Sequence, residues 1–245
     1  MKVLLIVPCY RESSRIGLFL PELCAEMDRL GDVRVMVVED GSGADEQLKM
    51  KALLDAWQVQ YHCLKSPLML DENVGKGGAV YEGWAQAVDE EWLAFVDADG
   101  ACPAREVARL IGIVRSQDSR SRAVFASRVK MLGKNVQRLL KRHLLGRVYA
   151  TLVSEMLNVP VYDSQCGLKL VPRLAYEQVA RSLAIRGFAF DVELMVALLK
   201  IGCPIEEVPI DWCEVAGGKV SMIRDSWRMA KDVWKIRSER GIVVG

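Results

Sequence analysis

The sequence predicts an α/β fold with a mostly parallel central sheet and helices on both faces. Along the first 100 residues, short apolar runs that end at turn residues alternate with segments of helical periodicity. The apolar runs are continuous, which is typical of strands buried on both faces. The chain has 245 residues, no internal repeat and no linker rich in Pro, Gly or Ser. We therefore expect one domain, 1–245, with a first half at 1–118 and a second half at 119–245.

Each predicted strand is an apolar or β-branched run that polar or turn residues close. The first strand, 3–7, ends at Pro8, and the second, 33–38, ends at the polar turn 39–42. Further strands are expected at 59–64, 92–96, 123–127, 165–171 and 205–212.

The predicted helices occupy the intervals between the strands. Leu18, Leu23, Met27 and Leu30 recur at helical spacing, which predicts the first helix. Further helices are expected at 45–57, 75–88, 103–116, 135–157, 191–200 and 225–237. The long helix 135–157 belongs to a basic segment, 128–157.

Polar clusters follow three of the strands, at 8–12, 39–42 and 97–100. In a parallel sheet these ends share the edge at which ligands bind. Asp97 and Asp99 are carboxylates one residue apart on a turn, a pattern that favours either Mg²⁺ or Mn²⁺ beside phosphate oxygens or a plain solvated turn. Asp40 is predicted either to accept an N–H of a base or to cap the following turn.

Further along the chain, charged residues stand in settings that allow two interpretations. The segment 75–79 opens a helix with Lys76 among three glycines, which is typical of a phosphate-binding helix start or of a tight turn. Arg128 ends the fifth strand and is predicted to grip a phosphate or to be a surface arginine. The acids predicted either to face a cleft or to cap and solubilise a helix are Asp163, Asp191 and Glu193.

Charge and cysteine content exclude several classes of protein. The net charge of +1 and the 51% of hydrophobic residues exclude a disordered chain. Residues 1–118 carry 12 basic and 20 acidic residues, whereas 119–154 carry nine basic residues and no acid. Because the flanking chain is acidic and no aromatic stacking platform accompanies it, this basic segment favours an anion or an anionic surface over a nucleic acid. The alternative is a solvated basic helix without a partner. Seven cysteines without a Cys-x-x-Cys pair, and only two histidines, argue against a zinc or disulfide framework and favour the cytosol.

Taken in order, the motifs of the chain resemble family 2 glycosyltransferases of the Rossmann-like GT-A fold. The first half carries VPCYRE at 7–12, VVEDGS at 37–42, NVGKGGA at 73–79 and DADG at 97–100. The second half resembles the dolichyl- and polyprenyl-phosphate β-glucosyltransferase branch. Its matching segments are ASR at 126–128, DSQCGLK at 163–169, FAFDVEL at 188–194, EVPIDW-x-E at 207–214, GGKV at 217–220 and SW at 226–227.

The resemblance implies a metal-dependent hexosyltransferase that inverts the anomeric centre, with UDP-glucose as donor and a polyprenyl phosphate as acceptor. The residues implied around the donor are Pro8, Tyr10, Glu12, Asp40, Lys76 and Asp97. The residues implied at the acceptor phosphate are Arg128, Arg142, Lys219 and Arg224. Asp99 is implied, with Asp97, as the ligand of Mg²⁺ or Mn²⁺. A hydroxyl acceptor would also need a base, for which the candidates are Asp163, Asp191 and Glu193.

Other functions stay open on the same motifs. They are transfer to a soluble or glycolipid hydroxyl, transfer from GDP-mannose, and a non-catalytic module that binds nucleotide sugars. Ala101 stands where mannosyl-transferring relatives supply a further polar metal ligand, which slightly favours a glucosyl donor.

Membrane attachment is expected to be peripheral, because no apolar run reaches 18 residues. Segment 128–147 carries seven basic residues with interleaved leucines, and we expect it to bind anionic lipid headgroups. The expected location is the cytoplasm, with attachment to the inner face of a membrane.

Overall fold

The computed structural model describes residues 1–116, 122–137, 140–159, 161–215 and 222–240, and at 140–148, 222–227 and 240 it describes the backbone alone. Within these residues the strands are β1 (Val3–Cys9), β2 (Val33–Glu39), β3 (Leu68–Met69), β4 (Trp92–Val96), β5 (Ala123–Ser127), β6 (Val136–Gln137), β7 (Leu168–Pro172), β8 (Ile205–Pro209) and β9 (Trp212–Cys213). Seven of them form one sheet in the order β3-β2-β1-β4-β7-β5-β8, and β6 pairs with β9 in a separate parallel ladder.

The large sheet is parallel except at β7. Strand β1 pairs with β2 along its whole length, from Val3 opposite Val33 to Cys9 opposite Glu39. Strand β7 runs antiparallel between β4 and β5 and places Lys169 opposite Phe95 of β4. The carboxyl ends of β1, β2 and β4 and the amino end of β7 therefore lie at the same edge of the sheet.

Helices cover both faces of the sheet. They are α1 (Leu20–Leu30), α2 (Ala44–Gln58), α3 (Lys76–Trp84), α4 (Ala104–Ser116), α5 (Leu140–Leu157), α6 (Arg173–Val179), α7 (Phe190–Lys200) and α8 (Met222–Arg240). Helices α1, α2 and α4 form one core with alternate strand residues such as Leu5, and the other five helices form a second core with the intervening residues such as Leu4. Among the helices described, none has both the length and the hydropathy that crossing a membrane requires.

The predicted strand 59–64 is wrong. Helix α2 continues to Gln58, Val59 is exposed, and the chain then turns. Leu64 forms one isolated bridge with Val35, and β3 follows only at 68–69. Cys63 and Leu64 are apolar because they are buried in the first core, and this burial needs no strand pairing.

The predicted helix 135–157 begins later, at Leu140. Val136 and Gln137, which were expected in this helix, form β6 instead, and the backbone N–H of Trp212 donates to the carbonyl oxygen of the preceding Asn135 at 2.9 Å. Val136 is buried in the first core, so packing and not a helical face explains its apolar side chain.

The predicted strand 205–212 is divided between two sheets. Strand β8 ends at Pro209, and Trp212 belongs to β9. The helix expected from residue 191 is α7, which begins one residue earlier, whereas the short helix α6 was not predicted.

Candidate active site

A cavity of about 470 Å³ opens at the carboxyl ends of β1, β2 and β4. In α/β proteins this edge of the sheet is where ligands bind. The cavity brings together every residue predicted for the donor or the metal, namely Pro8, Tyr10, Glu12, Asp40, Lys76, Asp97 and Asp99. Four separate segments of the first half thus converge on one space.

Asp40 lies just after β2 and holds the loop that leads into α3. Its Oδ1 accepts a hydrogen bond from the backbone N–H of Val74 at 2.7 Å. Its Oδ2 accepts one from the backbone N–H of Gly75 and one from the side-chain amide of Asn73, both at 3.0 Å. Burial raises the pKa of Asp40, and the two backbone hydrogen bonds offset this only in part. The carboxylate therefore fixes the point at which Lys76 enters the cavity.

The glycines of 75–78 allow α3 to approach the start of α7 closely. Gly75 has φ +88°, and a Cβ there would lie 2.7 Å from the carbonyl oxygen of Arg186. A Cβ at Gly77 would lie 2.4 Å from the Cβ of Phe190. This backbone approach accounts for the glycines, whereas a phosphate contact by the same segment stays a prediction.

Lys76 and Asp97 form an ion pair on the inner wall of the cavity. The Nζ of Lys76 lies 2.6 Å from the Oδ1 of Asp97. Burial alone would lower the pKa of Lys76, but the charges of Asp97 and Asp191 raise it above its usual value. The backbone N–H of Asp97 donates to the carbonyl oxygen of Gly167 at 2.9 Å, which ties β4 to the turn before β7.

Asp99 lies on the turn after β4, beside Asp97. Its Oδ1 accepts a hydrogen bond from the backbone N–H of Ala101 at 3.0 Å. Burial raises the pKa of Asp99, and the negative charge of Asp97 raises it further. Two carboxylates that repel each other in a cavity are oxygen donors that suit Mg²⁺ or Mn²⁺.

The described residues contain no cluster of three His, Cys, Asp or Glu side chains arranged for a metal. A site with two carboxylates leaves the remaining coordination positions to phosphate oxygens and water, which is how Mg²⁺ is commonly held beside a phosphate substrate. Asp97 and Asp99 therefore fit such a cation.

Arg128, at the end of β5, is bound to Asp163. The guanidinium meets the carboxylate in two parallel hydrogen bonds of 2.6 and 2.7 Å, and the backbone N–H of Arg128 adds a third at 3.0 Å. The backbone N–H of Asp163 donates to Glu207 of β8 at 2.9 Å. The guanidinium also lies 5.0 Å from the ring centre of Trp212. The sequence predicted Arg128 and Asp163 separately but not this closed pair.

None of the three acids considered as bases lines the cavity. Asp163 binds Arg128, and Asp191 is buried 3.4 Å from the Nζ of Lys169. Glu193, 1% exposed, accepts hydrogen bonds from the backbone N–H groups of Ala184 and Ile185 and so braces the loop before α7. The side chains of Arg142 and Arg224, and all of Lys219, lie outside the described residues.

The sequence profile of Glycosyl transferase family 2 matches residues 4–179. The chain belongs to this family. The family 2 glycosyltransferase is thus a hexosyltransferase, and its central sheet and helices are those of the GT-A fold.

Relatives similar to this glycosyltransferase over nearly all of its length are dolichyl-phosphate β-glucosyltransferases. The enzyme of Saccharomyces cerevisiae is 30% identical over 245 residues, which are 95% of this chain and 73% of that protein. The Homo sapiens enzyme is 28% identical and is matched over 95% of this chain and 74% of its own length.

Solved structures of glycosyltransferases share the fold. Glucosyl-3-phosphoglycerate synthase from Mycobacterium tuberculosis, in complex with Mn²⁺, UDP-glucose and phosphoglyceric acid, superposes with a TM-score of 0.67 at 15% identity, over 98% of this chain and 80% of that one. The mannosyltransferase of Pyrobaculum calidifontis, in complex with GDP-Man and Mn²⁺, gives a TM-score of 0.61 at 19% identity, over 94% of this chain and 60% of that one. At these identities the likeness shows the fold alone.

Sequence reasoning missed several residues of the cavity of this glycosyltransferase. Arg15 binds Glu12 through two hydrogen bonds of 2.7 and 2.9 Å across the turn that follows β1, and no helical pattern in this segment predicts the pair. Helix α8 adds a second wall of the cavity with Arg228, Met229 and Asp232. No local pattern identifies this wall, because only the packing of α8 against α5 and α7 brings it over the strand ends.

Proposed function

We propose that this glycosyltransferase transfers glucose from UDP-glucose to a polyprenyl phosphate, inverts the anomeric carbon and uses a divalent cation. The observation that carries most weight is the similarity to dolichyl-phosphate β-glucosyltransferases, which extends over 95% of the chain and so includes the acceptor half. The cavity at the strand ends supports a donor of this kind, because it combines paired carboxylates with Lys76.

The reaction forms a bond between a phosphate oxygen of the acceptor and C1 of glucose, while the bond from C1 to the diphosphate breaks and UDP leaves with the electron pair. The lipid phosphate is already ionised at neutral pH, so no proton has to be removed from it. The proposal therefore does not require Asp163, Asp191 or Glu193 to reach the acceptor. Positioning and charge neutralisation supply most of the rate.

On the donor side, Asp97 and Asp99 would hold the cation, and Asp40 would keep Lys76 in place at the opening of α3. When bound, the cation supplies positive charge to the diphosphate as the bond to C1 breaks. On the acceptor side, Arg128 presents a guanidinium that Asp163 already orients, and such a group binds phosphate oxygens well.

The exposed loop after β5 supports attachment to a lipid surface. Leu132 is 99% exposed and Met131 is 52% exposed, and both follow Lys130 on the loop that begins at Arg128. Exposed apolar residues beside a cation suit the boundary between acyl chains and anionic headgroups. We therefore place the acceptor lipid in a membrane that the protein binds from one side.

The test is transfer of radiolabelled glucose from UDP-glucose to polyprenyl phosphate held in vesicles with or without anionic lipid, scored by extraction into organic solvent. We expect label in the lipid, more of it with anionic vesicles, and none after EDTA. The double variant M131D/L132D should lose the vesicle-dependent gain and keep transfer to a short, water-soluble polyprenyl phosphate. V59D, at the exposed valine that follows α2, is the control. Label only from GDP-mannose, or only in hydroxyl acceptors, would contradict the proposal.

A further inference from the structure

Lys169 is a charged side chain in the middle of the sheet. It lies on β7, is 0% exposed, and has its Nζ 5.0 Å from the ring centre of Phe125 and 5.5 Å from that of Phe95. The Nζ donates a hydrogen bond to the carbonyl oxygen of Cys166 at 2.8 Å. A buried ammonium is unfavourable unless an opposite charge compensates it.

The compensating charge is Asp191, in the first turn of α7. Its Oδ2 lies 3.4 Å from the Nζ of Lys169, and the carboxylate is buried as deeply as the lysine. Its other oxygen, Oδ1, has no hydrogen-bond partner among the residues described. Burial raises the pKa of Asp191, whereas the charges of Lys169 and Lys76 act in the opposite direction. The two lysines therefore oppose the effect of burial on this carboxylate.

The pair continues a row of alternating charges that ends in the cavity. Asp191 forms no ion pair with Lys76, but the two residues lie on segments in close contact, because an added Cβ at Gly77, next to Lys76, would lie 2.4 Å from the Cβ of Phe190, next to Asp191. The charge of Asp191 therefore acts on Lys76 at longer range, while the Nζ of Lys76 binds Asp97 directly at 2.6 Å. From the core outwards the row is Lys169, Asp191, Lys76 and Asp97. Only Lys76 and Asp97 of these four line the cavity. Lys76 is thus attracted by two carboxylates, Asp97 in direct contact and Asp191 at longer range, and Asp191 is paired with a lysine that no substrate can touch.

We propose that Lys169 is a positioning residue for glucosyl transfer, which fixes the Asp191 carboxylate and through it holds the Lys76 ammonium at the inner wall of the donor cavity. The assay of this role rests on the proposed function. Without Lys169, the isolated Asp191 carboxylate becomes neutral or turns away, and Lys76 is then held by Asp97 alone. Lys76 is thereby free to move with Asp97 or towards Asp99, and either movement disturbs the two carboxylates that would hold the cation.

The experiment compares the wild type with K169M, D191N and the double variant K169M/D191N. Methionine keeps the length of the buried side chain, and asparagine keeps the shape of the carboxylate. Thermal unfolding reports stability, and steady-state transfer reports kcat and KM for UDP-glucose. We expect K169M to have a lower Tm and a kcat at least tenfold lower. The neutral double variant should regain Tm towards the wild-type value but keep the tenfold lower kcat.

A structural role predicts a different result for the double variant. If Lys169 only compensates a buried charge, K169M/D191N regains both Tm and kcat, and that outcome overturns the proposal. The double variant carries the test even where K169M alone does not fold. R34M/E90Q is the matched control, because Arg34 and Glu90 form a 2.6 Å ion pair in which Glu90 is buried, at the opposite edge of the sheet. It should keep the wild-type kcat whatever its Tm.

Failure of the proposed function gives a separate signature. A wild-type protein that transfers no glucose to polyprenyl phosphate shows that the donor or the acceptor is wrong. The same four proteins are then compared by their affinity for UDP in Mn²⁺, where we expect the double variant to bind at least fivefold more weakly. Equal affinity of the double variant and the wild type overturns the positioning role in that case.

Discussion

The donor wall and the acceptor wall of the active site are built differently. The donor wall is the side of the cavity at the strand ends that carries Asp40, Asp97 and Asp99, and the acceptor wall is the pair of Arg128 and Asp163. On the donor side, the carboxylates Asp40 and Asp99 are held by backbone N–H groups, and both line an open cavity. On the acceptor side, Arg128 and Asp163 bind each other, and the backbone of Asp163 is bound in turn by Glu207. Asp40 and Asp99 can therefore meet a ligand without losing a charged side-chain partner, whereas Arg128 and Asp163 already neutralise each other.

The difference concerns what each region has to do when a substrate arrives. A carboxylate that backbone amides fix stays in place and keeps its charge for a cation. A guanidinium already bound to a carboxylate gains less from an incoming phosphate, because the phosphate competes with Asp163. We infer that the donor wall sets the chemistry and that the acceptor wall sets the orientation of a second substrate.

The largest effect is expected at the donor wall, from Asp99→Asn. The change keeps the shape of the side chain and removes one of the two charges available to a cation, so we expect transfer to fall about 10³-fold, or about 4 kcal/mol in activation free energy. UDP binding should at the same time lose its dependence on Mn²⁺, which titration with and without EDTA measures. Asp55→Asn, at an exposed carboxylate of α2, is the matched control and should behave as the wild type. Mn²⁺-dependent UDP binding retained in Asp99→Asn would remove this residue from the metal site.

At the acceptor wall the expected effect is smaller and falls on the second substrate. Arg128→Ala should lower kcat/KM for polyprenyl phosphate roughly 10²-fold, because a charge-assisted bidentate contact is lost. Affinity for UDP should change less than about twofold, since Arg128 does not line the donor cavity. Steady-state kinetics with each substrate varied in turn separate the two quantities.

Arg122→Ala provides the control for that variant. Arg122 is a basic residue at the other end of β5, directly before the strand. It binds Glu206 at the edge of the sheet away from the cavity. It should leave both affinities unchanged. An Arg128→Ala protein that loses UDP affinity as strongly as acceptor affinity would show that the two walls are not independent.

More of the donor wall than of the acceptor wall could be predicted from the sequence, for a physical reason. Asp40 and Asp97 directly follow buried strands, Asp99 lies two residues after Asp97, and the parallel order of those strands brings their ends together. The acceptor pair joins β5 to the turn before β7, two segments that are distant in the chain. Its geometry depends on an antiparallel strand inserted into the sheet, which no local pattern predicts.

Lys169 shows that a sequence pattern can mispredict the burial of a residue even within a single strand. Because the sequence alternates Leu168, Lys169 and Leu170, the pattern favours an exposed lysine on a half-buried strand. The structure buries it, since α7 covers that face and supplies Asp191. The strand predicted at 59–64 was wrong for the reverse reason. Cys63 and Leu64 are buried, but Leu64 pairs with Val35 through a single bridge only.

The smallest of the three expected effects concerns segment 163–169, which joins the two walls. It contributes Asp163 to the acceptor wall, and its Gly167 contacts Asp97 of the donor wall. A Cβ at Gly167 would lie 2.0 Å from the Oδ2 of Asp97, so Gly167→Ala has to displace that carboxylate. We expect transfer to fall roughly tenfold, because a charge close to the reacting bond is misplaced. A tenfold change corresponds to about 1.4 kcal/mol in activation free energy. Gly112→Ala in α4 is the control, because nothing lies within 4 Å of its added Cβ, and it should raise stability by about 0.5–1 kcal/mol without changing the rate. Wild-type transfer by Gly167→Ala would mean that the position of Asp97 tolerates a shift, and the donor wall would then be less rigid than its backbone hydrogen bonds indicate.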